Sequence, residues 1–181
     1  MFLLTGTILY VKINVKLICL LKLEERGDSY MKISTQGRYG LRALVDLAEN
    51  ENEGGAIPLR EISERQEISE RYLEQLFAKL RKAGIVKSVR GAHGGYMLNR
   101  SPEEITVGDI IKTLEGSLAP VDCTNNNNQD CDFRDKCVTH EVWEEIKEKI
   151  EEVIESITLE DLKQRSLELK EKQNQGYMYH I

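Results

Sequence analysis

One stretch of the chain restricts the possible folds more than any other, and it runs from residue 59 to residue 84. Its apolar residues recur at the three- and four-residue spacing of two amphipathic helices, and Ser69 is predicted to cap the second. Gly84 is placed to end that helix in a left-handed conformation. Two short helices joined by such a tight corner are typical of a helix-turn-helix. The predicted inward residues are Leu59 and Ile62 in the first helix, Ile68 in the turn, and Leu73, Leu76, Phe77 and Leu80 in the second.

A β-hairpin is predicted directly after the second helix. Residues 85–90 form its first strand, residues 91–95 (GAHGG) its flexible tip and residues 96–100 its returning strand. An earlier helix is predicted to begin at Thr35, with Ser34 or Thr35 as its cap, and to end at Gly54-Gly55. A hairpin in this position is a wing. The predicted fold class is therefore mainly α, a winged helix-turn-helix domain followed by a long C-terminal dimerisation helix.

Charge is distributed unevenly along the chain, although its net charge is -6. Residues 69–100 carry seven basic and two acidic side chains, whereas residues 102–181 carry nine basic and nineteen acidic ones. A local basic stripe of this kind favours a polyanionic partner such as nucleic acid, which the whole-chain average conceals.

The outward face of the second helix offers suitable groups for reading double-stranded DNA. Glutamine pairs with adenine, glutamate accepts from the cytosine amino group, and lysine and arginine neutralise phosphates. An arginine at the base of the wing is placed to enter a narrow minor groove, and His93 at the tip is predicted to contact phosphate or solvent rather than a metal. A solvated amphipathic helix is the alternative. The candidate contact residues are Arg71, Tyr72, Glu74, Gln75, Lys79, Lys82, Arg90, Gly91 and His93.

A polar segment further along the chain contains a candidate metal site. Cys123, Cys131, Cys137 and His140 lie there in the order C-x7-C-x5-C-x2-H, and Asn125 to Asn128 allow the segment to wrap around a metal. Three thiols and an imidazole suit soft or borderline metals, so both structural zinc and an iron-sulfur cluster are compatible with the set. Unligated thiols are the alternative, while disulfides are disfavoured in a reducing cytosol.

The segment from Thr139 is predicted to be a helix that packs against a partner helix. Its apolar positions alternate by three and four residues, which is the a/d pattern of a helical seam. Since the winged domain already has enough core residues, we expect this seam to form a homodimer, which places two recognition helices on successive major grooves. The seam residues are Trp143, Ile146, Ile150, Val153 and Ile157.

Five segments are predicted: 1–30, 31–101 (winged domain), 102–137 (connecting helix and cysteine-rich segment), 138–173 (dimerisation helix and a final helix capped by Thr158) and 174–181 (tail). The connecting helix covers residues 106–115 and points Val107, Ile110, Ile111 and Leu114 inward. Residues 1–23 are apolar, but Lys12, Asn14 and Lys16 interrupt them, so they do not suit a membrane span. They do not suit a secretory signal either, because no basic residue precedes the apolar part and no small-x-small cleavage site follows it. We expect translation to start at Met31, because the codons for residues 26–28 resemble a ribosome-binding site. A bacterial cytoplasm is the expected location.

In this order, the motifs resemble the Rrf family of bacterial winged-helix regulators, and most closely its iron-sulfur cluster regulators. The resemblance runs from Met31 to about Leu162, in STQGRYGLRAL, ISERQEISERYLEQLFAKLRKAGIV, SVRGAHGGY, DKCVTHEVW and ITLEDL. It implies a homodimer on operator DNA that acts mainly as a repressor, with one [2Fe-2S] cluster per subunit. Carried over, the ligands are Cys123, Cys131, Cys137 and His140, and the DNA contacts are Arg71, Tyr72, Glu74, Gln75, Arg90 and Gly91.

Two departures from the family pattern affect these expectations. The interval between Cys123 and Cys131 is longer than in the iron-sulfur regulators, and Arg71 replaces a small hydroxyl residue. Nitric-oxide sensors and cysteine-metabolism repressors of the same fold are alternatives, as is a repressor with structural zinc. The cysteine triad counts against the cysteine-metabolism repressors. An enzyme is not expected, because no paired carboxylates, phosphate-binding loop or Ser-His-Asp set accompanies the cysteines.

Overall fold

The computed structural model of the chain describes residues 33–51, 55–91, 94–125 and 134–177. Within these ranges, none of the helices is long and apolar enough to cross a membrane. The predicted N-terminal extension, residues 1–30, lies outside them. The helices and strands are α1 (Thr35–Asn50), α2 (Leu59–Gln66), α3 (Glu70–Lys82), β1 (Val86–Val89), β2 (Gly95–Leu98), α4 (Val107–Glu115), α5 (Val138–Glu155) and α6 (Leu159–Tyr177).

Helix α1 begins as predicted but ends early. The hydroxyl of Ser34 caps it by accepting from a backbone N–H two residues on, at 3.0 Å. Its end lies at Asn50, so the prediction that Gly54-Gly55 ends the helix is wrong. The carboxylate of the next residue, Glu51, accepts from the backbone N–H of Leu98 at 3.1 Å. The residue that follows the helix is therefore hydrogen-bonded through its side chain to β2.

The corner between α2 and α3 has the predicted helix-turn-helix form. Glu67 adopts the left-handed conformation that turns the chain, and Ile68 is buried beside it. Ser69 occupies the cap position of α3, although its side chain makes no capping hydrogen bond to the described residues. Gly84 has a φ of 75°, as predicted. Every predicted inward residue of the two helices is buried: Leu59, Ile62, Leu73, Leu76, Phe77 and Leu80.

One ion pair joins α1 to α2 at the edge of the core, where the Arg65 side chain is 34% exposed. The carboxylate of Asp46, whose side chain is only 3% exposed, accepts from the Arg65 guanidinium at 2.7 and 3.0 Å. The side-chain amide of Gln66 donates to the same carboxylate at 2.9 Å. A buried carboxylate needs partners of this kind, because its charge has lost water.

The wing is a two-stranded antiparallel hairpin extended by a single bridge. Val86 pairs with Leu98 and Val89 with Gly95, so each strand is slightly shorter than predicted. On the other side of β2, Ile57 and Tyr96 exchange two backbone hydrogen bonds of 2.9 Å. A Cβ on Gly95 would lie 2.3 Å from the carbonyl oxygen of Ile57. Only glycine allows this close approach of the two backbones.

Helix α4 packs closely on α1. Thr106 and Asp109 form a capping box at its start, and the predicted inward residues Val107, Ile110, Ile111 and Leu114 are buried. At its end, one carboxylate oxygen of Glu115 accepts from the Ser34 backbone N–H at 2.9 Å, the Ser34 hydroxyl at 2.7 Å and the Gly37 N–H at 2.9 Å. The N-terminus of α1 is thus held by the residue that ends α4.

The two C-terminal helices differ from their predicted limits. Helix α5 ends at Glu155, so Ile157 lies beyond it. The backbone carbonyl of Ile157 accepts from the backbone N–H of Val107 at 2.8 Å. The prediction that Ile157 belongs to a helical seam is therefore wrong, because the helix has ended before it. Helix α6 is capped by Thr158 as predicted, but it continues to Tyr177. Residues 174–177 are thus helical rather than a loose tail. The division of the chain into five segments stays a prediction.

Candidate DNA interface and metal centre

The exposed face of α3 carries most of the predicted DNA-contacting groups. Arg71, Glu74, Gln75 and Lys79 are all exposed, whereas the opposite side of the helix lies in the core. Glu74 and Gln75 lie three and four residues after Arg71, and Lys79 lies four residues after Gln75, so these positions share one face. The helix therefore presents two cations, one carboxylate and one amide together, the set of groups that reads base edges and contacts phosphates.

Tyr72 differs from its neighbours because it is partly buried. Its ring packs edge-to-face with that of Tyr39 on α1, with 6.1 Å between centroids. The guanidinium groups of Arg38 and Arg42 lie 5.9 and 5.7 Å from the Tyr39 ring. This cluster was not predicted from the sequence, although the run RYGLR in α1 places both arginines within one turn of the tyrosine.

A polar contact links the recognition helix to the start of α1. The ammonium of Lys79 donates to the side-chain carbonyl of Gln36, two residues after the Ser34 cap. Lys79 was predicted only as a phosphate contact, and Gln36 was not predicted at all. The sequence places Gln36 in the first turn of α1, but it does not show that this turn packs beside α3.

The wing brings the last predicted DNA contacts to the surface. Arg90 is exposed at the end of β1, and Gly91 follows it with a φ of 127°. This left-handed backbone favours glycine and turns the chain toward the tip. His93 lies outside the described residues.

Cys123 lies in a short 3-10 turn, Asp122–Thr124, that packs against α5. The thiol-bearing residue is half-buried, and the next residue, Thr124, is buried with its hydroxyl donating to the Val121 carbonyl at 2.9 Å. The turn therefore holds the first predicted ligand against the helix that carries the last one.

Cys137 occupies the N-cap position of α5. Its sulfur lies 3.2 Å from the hydroxyl of Thr139, which lowers the pKa of the thiol, and the backbone N–H groups of Thr139 and His140 lower it further. A helix N-terminus stabilises negative charge. Cys137 therefore deprotonates more readily than an unperturbed thiol, and the thiolate is the form that binds metals.

His140 has one ring nitrogen without a partner. Its Nδ1 is buried and makes no hydrogen bond to the described residues. Its Nε2 accepts from the Arg134 guanidinium at 3.2 Å and lies 3.9 Å from a Glu144 carboxylate oxygen. Buried polar atoms without partners are rare, and a missing metal or ion is one of their causes.

The structure does not bring the complete ligand set together. In the part of the chain that it describes, no three histidine, cysteine or carboxylate side chains form a metal-binding group. Cys131, the second predicted ligand, lies outside the described residues. The four-ligand site therefore stays a prediction, supported by the chemistry at Cys137 and His140.

The predicted dimer seam lies on a helix that has little cover. None of the residues of α5 is buried, and Val153 is 57% exposed. Trp143, Ile146 and Ile150 are only partly buried. Val138 and Val142 add further apolar surface at the N-terminal end of the same helix. An apolar stripe of this length on an uncovered helix favours association with another surface.

Comparison with known proteins finds relatives among transcriptional regulators. The chain is similar to the HTH-type transcriptional regulator CymR of Bacillus subtilis (strain 168), with 42% identity over 151 residues, 83% of this chain and 100% of the relative. It is equally similar to IscR of Pectobacterium carotovorum, with 42% identity over 132 residues, 73% of this chain and 79% of the relative.

Solved structures give the same two kinds of relative. T. potens IscR has 50% sequence identity and a TM-score of 0.60, with 82% of this chain and 96% of that chain covered. CymR of B. subtilis has 44% identity and a TM-score of 0.60, with 74% and 97% covered. The winged-helix prediction is confirmed. The relatives do not separate the iron-sulfur regulators from the cysteine regulators.

Residues 33–165 match the Rrf2 family, described as iron-dependent transcriptional regulators. This match confirms the resemblance that the sequence motifs carry, and it covers the recognition helix, the wing, the cysteine segment and α5. The chain therefore belongs to the Rrf2 family of winged-helix, DNA-binding transcriptional regulators.

Proposed function

We propose that this regulator binds operator DNA as a homodimer, acts mainly as a repressor, and senses iron-sulfur cluster status through a [2Fe-2S] cluster. Cys123, Cys131, Cys137 and His140 would hold the cluster. The observation that carries the proposal is the chemistry at the start of α5: the pKa of the Cys137 thiol is lowered, and the buried His140 Nδ1 has no hydrogen-bond partner among the described residues. A thiolate and an imidazole are both established ligands of such clusters.

The residues present fit this group chemically. The thiol of Cys137 is biased toward its ligand form, and the 3-10 turn of Cys123 packs against the helix that begins after Cys137. When bound, the cluster supplies one-electron redox chemistry. The protein's own part is to position the ligands and to connect them to the DNA-binding surface.

A chain of contacts supports that connection. Glu115 ends α4, eight residues before Cys123, and its carboxylate holds the N-terminus of α1. Gln36, in the first turn of α1, accepts a hydrogen bond from Lys79 on the recognition helix. Ordering of the segment after Glu115 would therefore act on the start of α1 and, through it, on α3.

Metal and sulfide analysis of the full chain, purified without oxygen, tests the cluster. We expect iron and sulfide in equal amounts and visible charge-transfer absorption, and we expect Cys137→Ala and His140→Ala each to remove most of both. The matched control is Lys149→Ala, which changes an exposed residue of the same helix and should leave the absorption unchanged. A colourless protein with stoichiometric zinc would contradict the cluster and leave a structural metal.

A cysteine-metabolism regulator is the second candidate, and one observation favours it. CymR of B. subtilis aligns over its entire length at the same identity as the IscR sequence above. That function requires no cluster. A protein without iron, sulfide or zinc that still binds DNA would support this candidate.

Substitutions on α3 test the DNA interface. We expect Lys79→Ala to weaken binding to all duplexes alike and to reduce the slope of log K against log salt by about one, because one phosphate contact is lost. Glu74→Ala should instead relax the choice among operator variants, because the carboxylate selects at a base edge. Titration of labelled duplexes at several salt concentrations measures both. Equal effects of both substitutions on all sites would contradict the assigned roles, and Lys149→Ala on α5 is the control.

A further inference from the structure

A groove of about 380 Å³ runs between α1 and α6, within the size range of small-molecule sites. One stripe of α1 and one stripe of α6 face each other across it, each with residues at three- and four-residue intervals. Its apolar walls come from Leu41 and Val45 on α1 and from Leu162 and Leu169 on α6. The proposed DNA and cluster sites do not use this groove.

Glu49 makes the groove chemically unusual. Its side chain is only 5% exposed, and one carboxylate oxygen pairs with the Lys170 ammonium at 2.5 Å. The other oxygen, Oε1, is buried and has no hydrogen-bond partner among the described residues. A carboxylate oxygen in this state needs a donor, and a bound cationic group would supply one.

Positive groups line the same groove. Arg42 lies seven residues before Glu49 on the same face of α1, which places their backbones about 10 Å apart along the helix. Its guanidinium already donates to the side-chain and backbone carbonyls of Gln66 at 3.3 and 2.9 Å, so only part of it faces the groove. Arg165 lines the α6 side. A guanidinium is the side chain best suited to a carboxylate, because its N–H groups bind both oxygens. The groove therefore combines a negative end, apolar walls and a positive region.

We propose that this groove binds a small zwitterion of the amino-acid class. Its ammonium would reach Glu49 Oε1 as the exposed Lys170 side chain moves aside, its carboxylate would meet Arg165 with Arg42 beside it, and its carbon chain would lie against the leucine and valine walls. A ligand in this position contacts α1 and α6 together. It gives the regulator a second input, independent of the cysteine segment.

Calorimetric titration of the full chain tests the site. The probes are the standard L-amino acids and γ-aminobutyrate, each compared with its N-acetyl and carboxamide derivatives. We expect at least one probe to give a saturable isotherm and, at about 100 times its Kd, to raise the melting temperature by about 5 °C or more. Both derivatives of that probe should lose binding, because each lacks one of the two charges.

Substitutions in the groove test whether the probe binds there. Glu49→Gln and Arg165→Gln should each weaken the probe at least tenfold, whereas Glu103→Gln and Arg60→Gln, which change exposed residues elsewhere, should not. Circular dichroism confirms that each variant is folded before titration. The proposal is overturned if no probe gives a saturable isotherm with the wild-type chain. It is also overturned if the binding probe keeps its affinity in both groove variants, or after N-acetylation and amidation.

Discussion

Asp46→Ala is expected to lower the free energy of unfolding by about 2 kcal/mol, because α2 loses its hydrogen bonds to a buried carboxylate while Arg65, which is 34% exposed, keeps water and Glu61 as partners. Without the carboxylate, the Arg65 guanidinium and the Gln66 amide lose their shared acceptor between α1 and α2. For a domain of this size, that loss corresponds to a fall in melting temperature of about 4–8 °C. Chemical denaturation of the full chain, followed by circular dichroism, measures it.

The matched control for this substitution is Glu64→Ala. Glu64 pairs with Arg60 on the surface of α2, and both side chains are mostly exposed. Pairs of this kind contribute less than about 1 kcal/mol, because water and salt screen them. If the two substitutions cost the same, the buried pair would not be what holds α2 against α1.

Ile150→Glu is expected to abolish self-association and to reduce DNA affinity at least about 100-fold. The proposed dimer buries this residue, and a charge there would lose its hydration without gaining a partner. A monomer engages one half-site and loses the avidity of two linked recognition helices, which is worth a factor of about 100 to 10,000. Analytical ultracentrifugation gives the association state, and titration of a labelled operator duplex gives the affinity.

Lys149→Glu introduces the same side chain one position along α5, on its exposed side, and replaces only a surface pair with Glu152. This control should remain dimeric and bind the operator as the wild-type chain does. If Ile150→Glu also remained dimeric, the seam would lie elsewhere and Trp143, Ile146 and Val153 would lose their proposed role.

The elements set by local pattern were predictable from the sequence. The buried stripe of α3, the corner at Ile68, the left-handed Gly84 and the capping residues Ser34 and Thr158 were all predicted correctly. Each depends on residues within one or two helical turns, where spacing and capping chemistry dominate. The family could be predicted for the same reason, since its motifs lie in these elements.

The features that were missed depend on contacts between distant parts of the chain. Helix α1 ends at Asn50 because the Glu51 carboxylate reaches β2. Ile157 continues the three-four apolar spacing, yet its carbonyl bonds to Val107 and the helix has already ended. The groove around Glu49 likewise requires α6 to pack against α1. The spacing of apolar residues indicates which side chains are buried, but it does not indicate where a tertiary contact ends a helix.

The hydrogen bonds between the Glu115 carboxylate and the N-terminus of α1 also affect amide hydrogen exchange. The amides of Ser34 and Gly37, which would normally exchange through fraying of the helix end, donate to a side chain 81 and 78 residues away. Their exchange therefore requires the Glu115 carboxylate to release them, so we expect their protection to depend on α4 staying packed against α1. The amide protons at the start of the DNA-binding domain thus report the state of the helix that leads into the cysteine segment.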